Sequence, residues 1–263
     1  MIFRRFGVMS SPSSSGSGDV MTVLITGGSK GIGLALAEVF AEQGRDLVLV
    51  ARDSDALMRE SARLREEFGV GVTAIRMDLS SSAAHLKDAL DSQKITVTGL
   101  VNNAGFGFQG SLGDSDVQGM IDLNISSLTN LTRLFLPQIE ESRGFVVNVA
   151  SVAGLVPIRR MAVYAATKAY VVSFSESLSL ETSARVLCVC PGPVDTSFHD
   201  RAGTGGLRRG SMSAREVARR TVRALRSRKV VVVTDPKLRL LLGFTRWLPR
   251  SWIRALSRMM VRD

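Results

Sequence analysis

Tyr164 and Lys168 stand four residues apart in Tyr-Ala-Ala-Thr-Lys, a spacing that puts both side chains on one face of a helix. A phenol with a pKa of about 10 is a poor acid or base at neutral pH. An ammonium group beside it favours the phenolate and lowers that value, which suits the pair to moving a proton at a reacting oxygen. Ser151 lies 13 residues earlier, and its hydroxyl is placed to hold such an oxygen. Tyr-x-x-x-Lys arises by chance in many helices, so its weight rests on what surrounds it.

A second set of residues has the make-up of a phosphate cradle. Thr26-Gly27-Gly28-Ser29-Lys30-Gly31-Ile32-Gly33 joins an apolar β-branched run to a helical stripe. Glycines there allow a tight turn and let backbone N–H groups approach a pyrophosphate at the positive end of the helix. The loop follows a strand and opens a helix, which is the context that gives a glycine-rich run meaning. The next apolar run ends in Ala51-Arg52. A carboxylate at that place suits the 2′-hydroxyl of NAD, whereas arginine suits the 2′-phosphate of NADP. With Lys30 alongside, two cations are expected to converge on one phosphate, the guanidinium in a forked geometry. NADP(H) is the expected cofactor, and Asp53, one place later, is the residue that complicates this reading.

The elements that must carry these groups follow from periodicity. Strands are expected at 20–25, 47–51, 72–77, 97–101, 144–150, 185–190 and 229–234, each apolar throughout. Helices are expected at 32–43, 54–67, 81–92, 115–141, 162–182 and 213–228. Uniformly apolar strands that alternate with helices predict an α/β fold. It is a doubly wound parallel sheet of the Rossmann type in three layers, α/β/α. Ligands of such sheets sit beyond the carboxyl ends of the strands.

In that order and spacing the motifs resemble the short-chain dehydrogenase/reductase family. The likeness runs through the glycine loop, Asp78, Asn102-Asn103-Ala104-Gly105, Asn124, Ser151, Tyr164 and Lys168. It ends in Pro191-Gly192-Pro193-Val194-Asp195-Thr196, and so covers roughly residues 21–198. The resemblance implies NADPH-dependent reduction of a small-molecule carbonyl. Tyr164 would give a proton to the carbonyl oxygen, Ser151 would hydrogen-bond that oxygen, and Asn124 would anchor a water in the proton relay. Lys168 would hold the nicotinamide ribose and depress the Tyr164 pKa. Gly27, Ser29, Lys30, Gly31, Ile32, Gly33 and Arg52 complete the cofactor set on the phosphate side. Asp78 would contact adenine, and Asn103, Ala104 and Gly105 would line the adenosine ribose side. Val194 and Thr196 would meet the carboxamide, with Pro191 and Gly192 beside them. The same site serves the reverse reaction, an NADP-dependent alcohol dehydrogenase. A non-catalytic NADP-binding regulator is the rival from another class, disfavoured by the presence of all four of Asn124, Ser151, Tyr164 and Lys168. The family also suggests a homodimer or homotetramer through the helices at 115–141 and 162–182.

The 263 residues, 45% of them apolar, suffice for one large core. Residues 1–19 read as a disordered leader and 20–236 as the catalytic domain, with a lid at 198–210. Residues 237–263 read as a basic amphipathic helical extension. The two cysteines, Cys188 and Cys190, fall on one face of a strand and read as core packing. So few cysteines fit a reducing, cytoplasmic setting. His85 and His199 are the only histidines, and no metal site is expected. The net charge of +10 is uneven: residues 201–263 carry 17 Lys/Arg against 3 Asp/Glu, and residues 1–200 carry 17 against 21. No run is long enough to span a membrane. For the tail, three readings stay open: capping the substrate pocket, lying on an anionic membrane surface, or else subunit contact or a plain solvated helix. Pocket and membrane roles together would suit an apolar or acyl-chain carbonyl, and hence lipid metabolism. Nucleic acid is not an expected partner.

Overall fold

A computed structural model describes residues 21–80, 83–195, 211–245, 249, 251–254 and 257. The expected leader at 1–19, the lid at 198–210, Thr196 and much of the tail lie outside the described residues.

Alternating faces of the strands build the core. In β1 (Thr22–Thr26), Val23 and Ile25 point into one apolar layer and Leu24 into the other; β2 (Asp46–Ala51) repeats this with Leu47 and Leu49 against Val48 and Val50. One layer is closed by α1 (Gly31–Ala41) and α2 (Ser54–Phe68). The other is closed by α3 (Ala83–Ser92) and α5 (Leu128–Glu141), the latter preceded by the short α4 (Val117–Ile121). Phe40 of α1 and Phe135 of α5 are the largest fully buried side chains, one in each layer. Truncating either to alanine costs about 3–5 kcal/mol.

The remaining strands are β3 (Val72–Arg76), β4 (Val97–Asn102), β5 (Phe145–Val149), β6 (Arg185–Cys190), β7 (Val194–Asp195), β8 (Met212–Ser213) and β9 (Val231–Val233). Seven of the strands form one wholly parallel sheet in the order β3-β2-β1-β4-β5-β6-β9, and β7 pairs with β8. The order reverses between β1 and β4, so the connections leave those two strands toward opposite faces and a crevice opens above their ends. Helices α6 (Ala162–Glu181), α7 (Ala214–Leu225) and α8 (Pro236–Thr245) complete the described elements.

Two features were not apparent from periodicity. The expected helix at 115–141 carries a π-helical segment, Asp122–Ser127, between α4 and α5; such segments occur mostly as single turns at functional places. Behind the site, Asn102 Nδ2 donates to Asn148 Oδ1 at 2.9 Å and to Thr132 Oγ1 at 3.0 Å, and Asn148 Nδ2 donates to Ser175 Oγ at 2.9 Å. This buried chain ties β4 and β5 to α5 and α6. Cys188 and Cys190 are free thiols buried in one small apolar cluster, as core packing requires.

Candidate active site

The phosphate loop takes its shape from contacts that leave no room for side chains. Gly27 sits at φ +66°, and its N–H donates to Val50 O at 2.8 Å. A Cβ on Gly33 would collide with the Gly27 carbonyl and with Asn103 Nδ2. Asn103 Nδ2 donates to Thr26 O at 2.9 Å, and the backbone N–H groups of Asn103 and Ala104 both donate to Thr26 Oγ1 at 2.9 Å. The ends of β1 and β4 are thus laced together around the loop. Helix α1 starts there with no side-chain cap and no acid in its first turn. Its first N–H groups need an acceptor, and an anion is the partner such an end favours.

The cations at the edge of this crevice each stand beside a carboxylate. Lys30 Nζ lies 3.3 Å from Asp53 Oδ2, and Arg52 Nη1 lies 3.7 Å from Asp78 Oδ2. Asp53 also caps α2 by accepting from Ala56 N at 3.2 Å. That backbone bond, with Lys30, lowers its carboxyl. Asp78 is lowered chiefly by hydrogen bonds from Ser80, with Arg52 adding to the effect. Lys30 and Arg52, expected to share one phosphate, thus each stand beside a carboxylate at the rim of the crevice.

At the opposite end, Ser151 caps a short 3-10 turn by accepting from Ala153 N at 3.1 Å and hydrogen-bonds the Tyr164 phenol. Tyr164 and Lys168 are both buried on α6. Lys168 Nζ donates to Val149 O at 2.8 Å and stands 5.8 Å from the centroid of the Tyr164 ring. Burial pushes the phenol up to about 12, against a smaller opposing effect of the Ser151 hydrogen bond. Burial also pushes Lys168 down to about 8. Against the expected lowering of Tyr164, loss of solvent outweighs the hydrogen bond from Ser151.

Asn124 lies in the π-helical segment and is almost wholly buried. Its Nδ2 donates to Phe106 O at 2.9 Å and Thr167 Oγ1 at 3.1 Å, and its Oδ1 accepts from Phe106 N at 3.1 Å. Both amide protons are spent, so any water must be held through an oxygen. A Cβ on Gly105 would come 2.9 Å from Asn124 Oδ1 and 3.5 Å from Lys168 Nζ.

One cleft of about 390 Å³ joins the two ends. Of the expected cofactor residues it is lined on the phosphate side by Gly27, Ser29, Lys30, Gly31, Ile32, Arg52 and Asp78. Asn103, Ala104 and Gly105 line its middle, and Ser151, Tyr164, Lys168, Pro191, Gly192 and Val194 the far end. Gly33 and Asn124 stand behind the wall. Sequence reading missed the apolar surround of Tyr164: Phe106, Phe108, Met120, Ala153, Ile158, Met161 and Val163 cluster around its ring. Phe106-Gly107-Phe108, two aromatic residues directly after the Asn-Ala-Gly turn, was the signal available. A Cβ on Gly107 would press on the Tyr164 ring at 2.6 Å. Among the described residues no group of three or more metal-ligating side chains comes together.

Residues 21–205 match the family model described as short chain dehydrogenase. A very-long-chain 3-oxoacyl-CoA reductase of Mus musculus is 34% identical over 179 residues, 63% of this chain. The match spans only 56% of that relative's length. A 3-oxoacyl-[acyl-carrier-protein] reductase of Chlamydia trachomatis is 31% identical over 67% of this chain and 75% of its own. Among solved structures, a short-chain dehydrogenase from Sphingobium yanoikuyae in complex with NADPH superposes with a TM-score of 0.77. It is 34% identical, and the match covers 86% of this chain and 94% of that one.

Proposed function

That the chain belongs to the short-chain dehydrogenase family, and is thus an oxidoreductase of CH–OH and C=O groups, is the premise from which we propose its reaction. It reduces an apolar ketone, with an acyl-chain carbonyl as the leading class, using NADPH and taking the proton from Tyr164.

The cleft fits a dinucleotide on grounds internal to this chain. The uncapped start of α1 supplies N–H donors, and the positions of Gly27 and Gly33 exclude side chains from the cradle. Gly27, Ser29, Gly31 and Ile32 would hold the pyrophosphate, Asp78 the adenine, and Asn103 to Gly105 the adenosine ribose. Pro191, Gly192 and Val194 would flank the nicotinamide. NADPH is favoured over NADH because Asp53 is engaged with Lys30 and with the Ala56 N–H. Arg52, held only by an exposed 3.7 Å pairing with Asp78, is then the group at the end of β2 best placed for a 2′-phosphate.

Bound there, the cofactor supplies the hydride that reduces the carbonyl carbon. The chain's own residues handle the oxygen. Ser151 donates a hydrogen bond to it, and Tyr164 Oη transfers its proton to it, so the product is an alcohol and the phenolate remains. Lys168, held one helical turn away, stabilises that phenolate. Asn124 supports the water from which the proton is restored. Phe106, Phe108, Ile158 and Met161 keep bulk water from the reacting oxygen and offer an apolar surface to the substrate.

One arrangement carries the reading: Ser151 and Tyr164, hydrogen-bonded to each other, stand with Lys168 at one end of a single cleft whose other end is the glycine turn and the uncapped start of α1. The same groups serve either direction of the reaction, and reduction is the direction named by the 3-oxoacyl reductase relatives. The 3-oxoacyl reductase relatives support the acyl class of substrate. The test is NADPH consumption across 3-oxoacyl thioesters of rising chain length, simple ketones and polar sugars. Preference for longer acyl chains is expected; activity confined to polar ketoses would overturn the substrate class, and silence across all classes would overturn the enzyme reading.

A further inference from the structure

We propose that the exposed face of α8, with Trp252 beyond it, docks this protein on an anionic phospholipid surface, with the mouth of the cleft turned toward the lipid. The surface claim stands apart from the reaction proposed above. Helix α8 is apolar on both sides. Leu238 and Leu242, four residues apart, are half-buried, and Leu238 meets Gly192 in the wall of the cleft. On the opposite side Leu240, Leu241 and Phe244 are exposed, Leu240 by 67% and Phe244 by 63%. A turn begun at Pro249 presents Trp252, 66% exposed. Ser257 lies against the cleft's far rim, where Arg159 N donates to its Oγ at 3.2 Å. Arg159 directly follows Ile158, a lining residue. Leu238 and Ser257 therefore meet the mouth on two sides, while Leu240, Leu241, Phe244 and Trp252 are exposed.

Its charge selects the occupant. Among the described residues Lys237, Arg239 and Arg254 are exposed beside that apolar face, and residues 236–262 contain seven Lys/Arg and no acid. Exposed apolar side chains flanked by cations are the pattern of an interfacial helix on anionic lipid. A second copy of the chain would set the same cations against themselves. A nucleic acid would use the cations and leave Leu240, Leu241 and Phe244 in water. No helix among the described residues is long and apolar enough to cross a membrane, so the contact is peripheral.

The test uses the full chain with vesicles of phosphatidylserine in phosphatidylcholine, and with phosphatidylcholine alone. Co-sedimentation with the anionic vesicles at low salt is expected, with at least tenfold weaker binding for Leu240→Glu/Phe244→Glu. In a Trp247→Phe background, which leaves Trp252 as the sole tryptophan, emission shifts to the blue on binding. Absence of binding to anionic vesicles at low salt overturns the proposal. So does equal binding by the double variant, or a dimer in solution that the double variant converts to monomer. Turnover of a small water-soluble ketone without vesicles stays unchanged in the double variant, which separates failure of docking from failure of the enzyme reading.

Discussion

Lys168 Nζ and the Val149 carbonyl are joined by a 2.8 Å hydrogen bond, so helix α6 is pinned to the end of β5 by the same side chain that stands beside Tyr164. The ammonium is thereby held in place, at the cost of solvation, and both members of the Tyr164–Lys168 pair are driven toward their neutral forms. Such opposed shifts of neighbouring groups are a mark of functional sites.

This pair leaves a signature in stability against pH. Lys168 is lowered to about 8 from its usual 10.5. Between those values the unfolded chain binds more protons there than the folded one, and stability rises with pH. Tyr164 is raised to about 12 from 10.0, so over that higher window the folded chain holds more protons and stability falls. Wild type is expected to gain stability relative to Lys168→Met as pH climbs from 8 to 10. Chemical denaturation at each pH measures this, and a constant difference between the two proteins would contradict it.

The phosphate loop gives a steric prediction. In Gly33→Ala the new methyl meets the Gly27 carbonyl and the Asn103 amide, which must shift together with the loop. NADPH affinity, followed by quenching of protein fluorescence, is expected to weaken by at least about tenfold, equivalent to roughly 1.4 kcal/mol. Retention of wild-type affinity would mean that the cofactor does not use this turn.

Arg52 tests the choice between cofactors. A charge-assisted bond from Arg52 to a 2′-phosphate would be worth roughly 1.5–3 kcal/mol, so Arg52→Ala should raise the KM for NADPH about 10- to 100-fold. The KM for NADH, which lacks that phosphate, should hardly move. A parallel rise for both cofactors would assign Arg52 a structural role through Asp78 instead.

The buried amide chain predicts a stability effect distant from chemistry. Asn148→Ala deprives Asn102 of an acceptor and Ser175 of a donor, leaving buried polar groups short of partners at about 1–3 kcal/mol each. Thermal unfolding should shift downward by several degrees. An unchanged midpoint would show that the network contributes nothing net.

Much of this was legible in the residues because the physics was local. The alternation of apolar runs with helical stripes foretold the parallel sheet, and Gly27 to Gly33, Ser151 and Tyr164 announced themselves by order along the chain. What stayed hidden depended on burial and on neighbours remote in sequence. Lys168 next to Tyr164 argued for a lowered phenol, yet the depth of α6 decides the opposite. Lys30 and Arg52 read as two cations for one phosphate; that each also stands beside a carboxylate, Asp53 and Asp78, depends on the fold. The π-helical turn at Asn124 and the second apolar face of α8 have no periodic signature. Asn148, a lone polar residue inside an apolar strand, was a visible hint of the amide chain that periodicity passed over.

The central claim is that the Tyr164 hydroxyl provides the proton for carbonyl reduction. Tyr164→Phe removes that oxygen and keeps the ring among Phe106, Phe108 and Met161. With NADPH affinity held within about threefold of wild type, kcat is expected to fall by at least about 100-fold. Undiminished turnover by a variant that still binds NADPH would contradict the account.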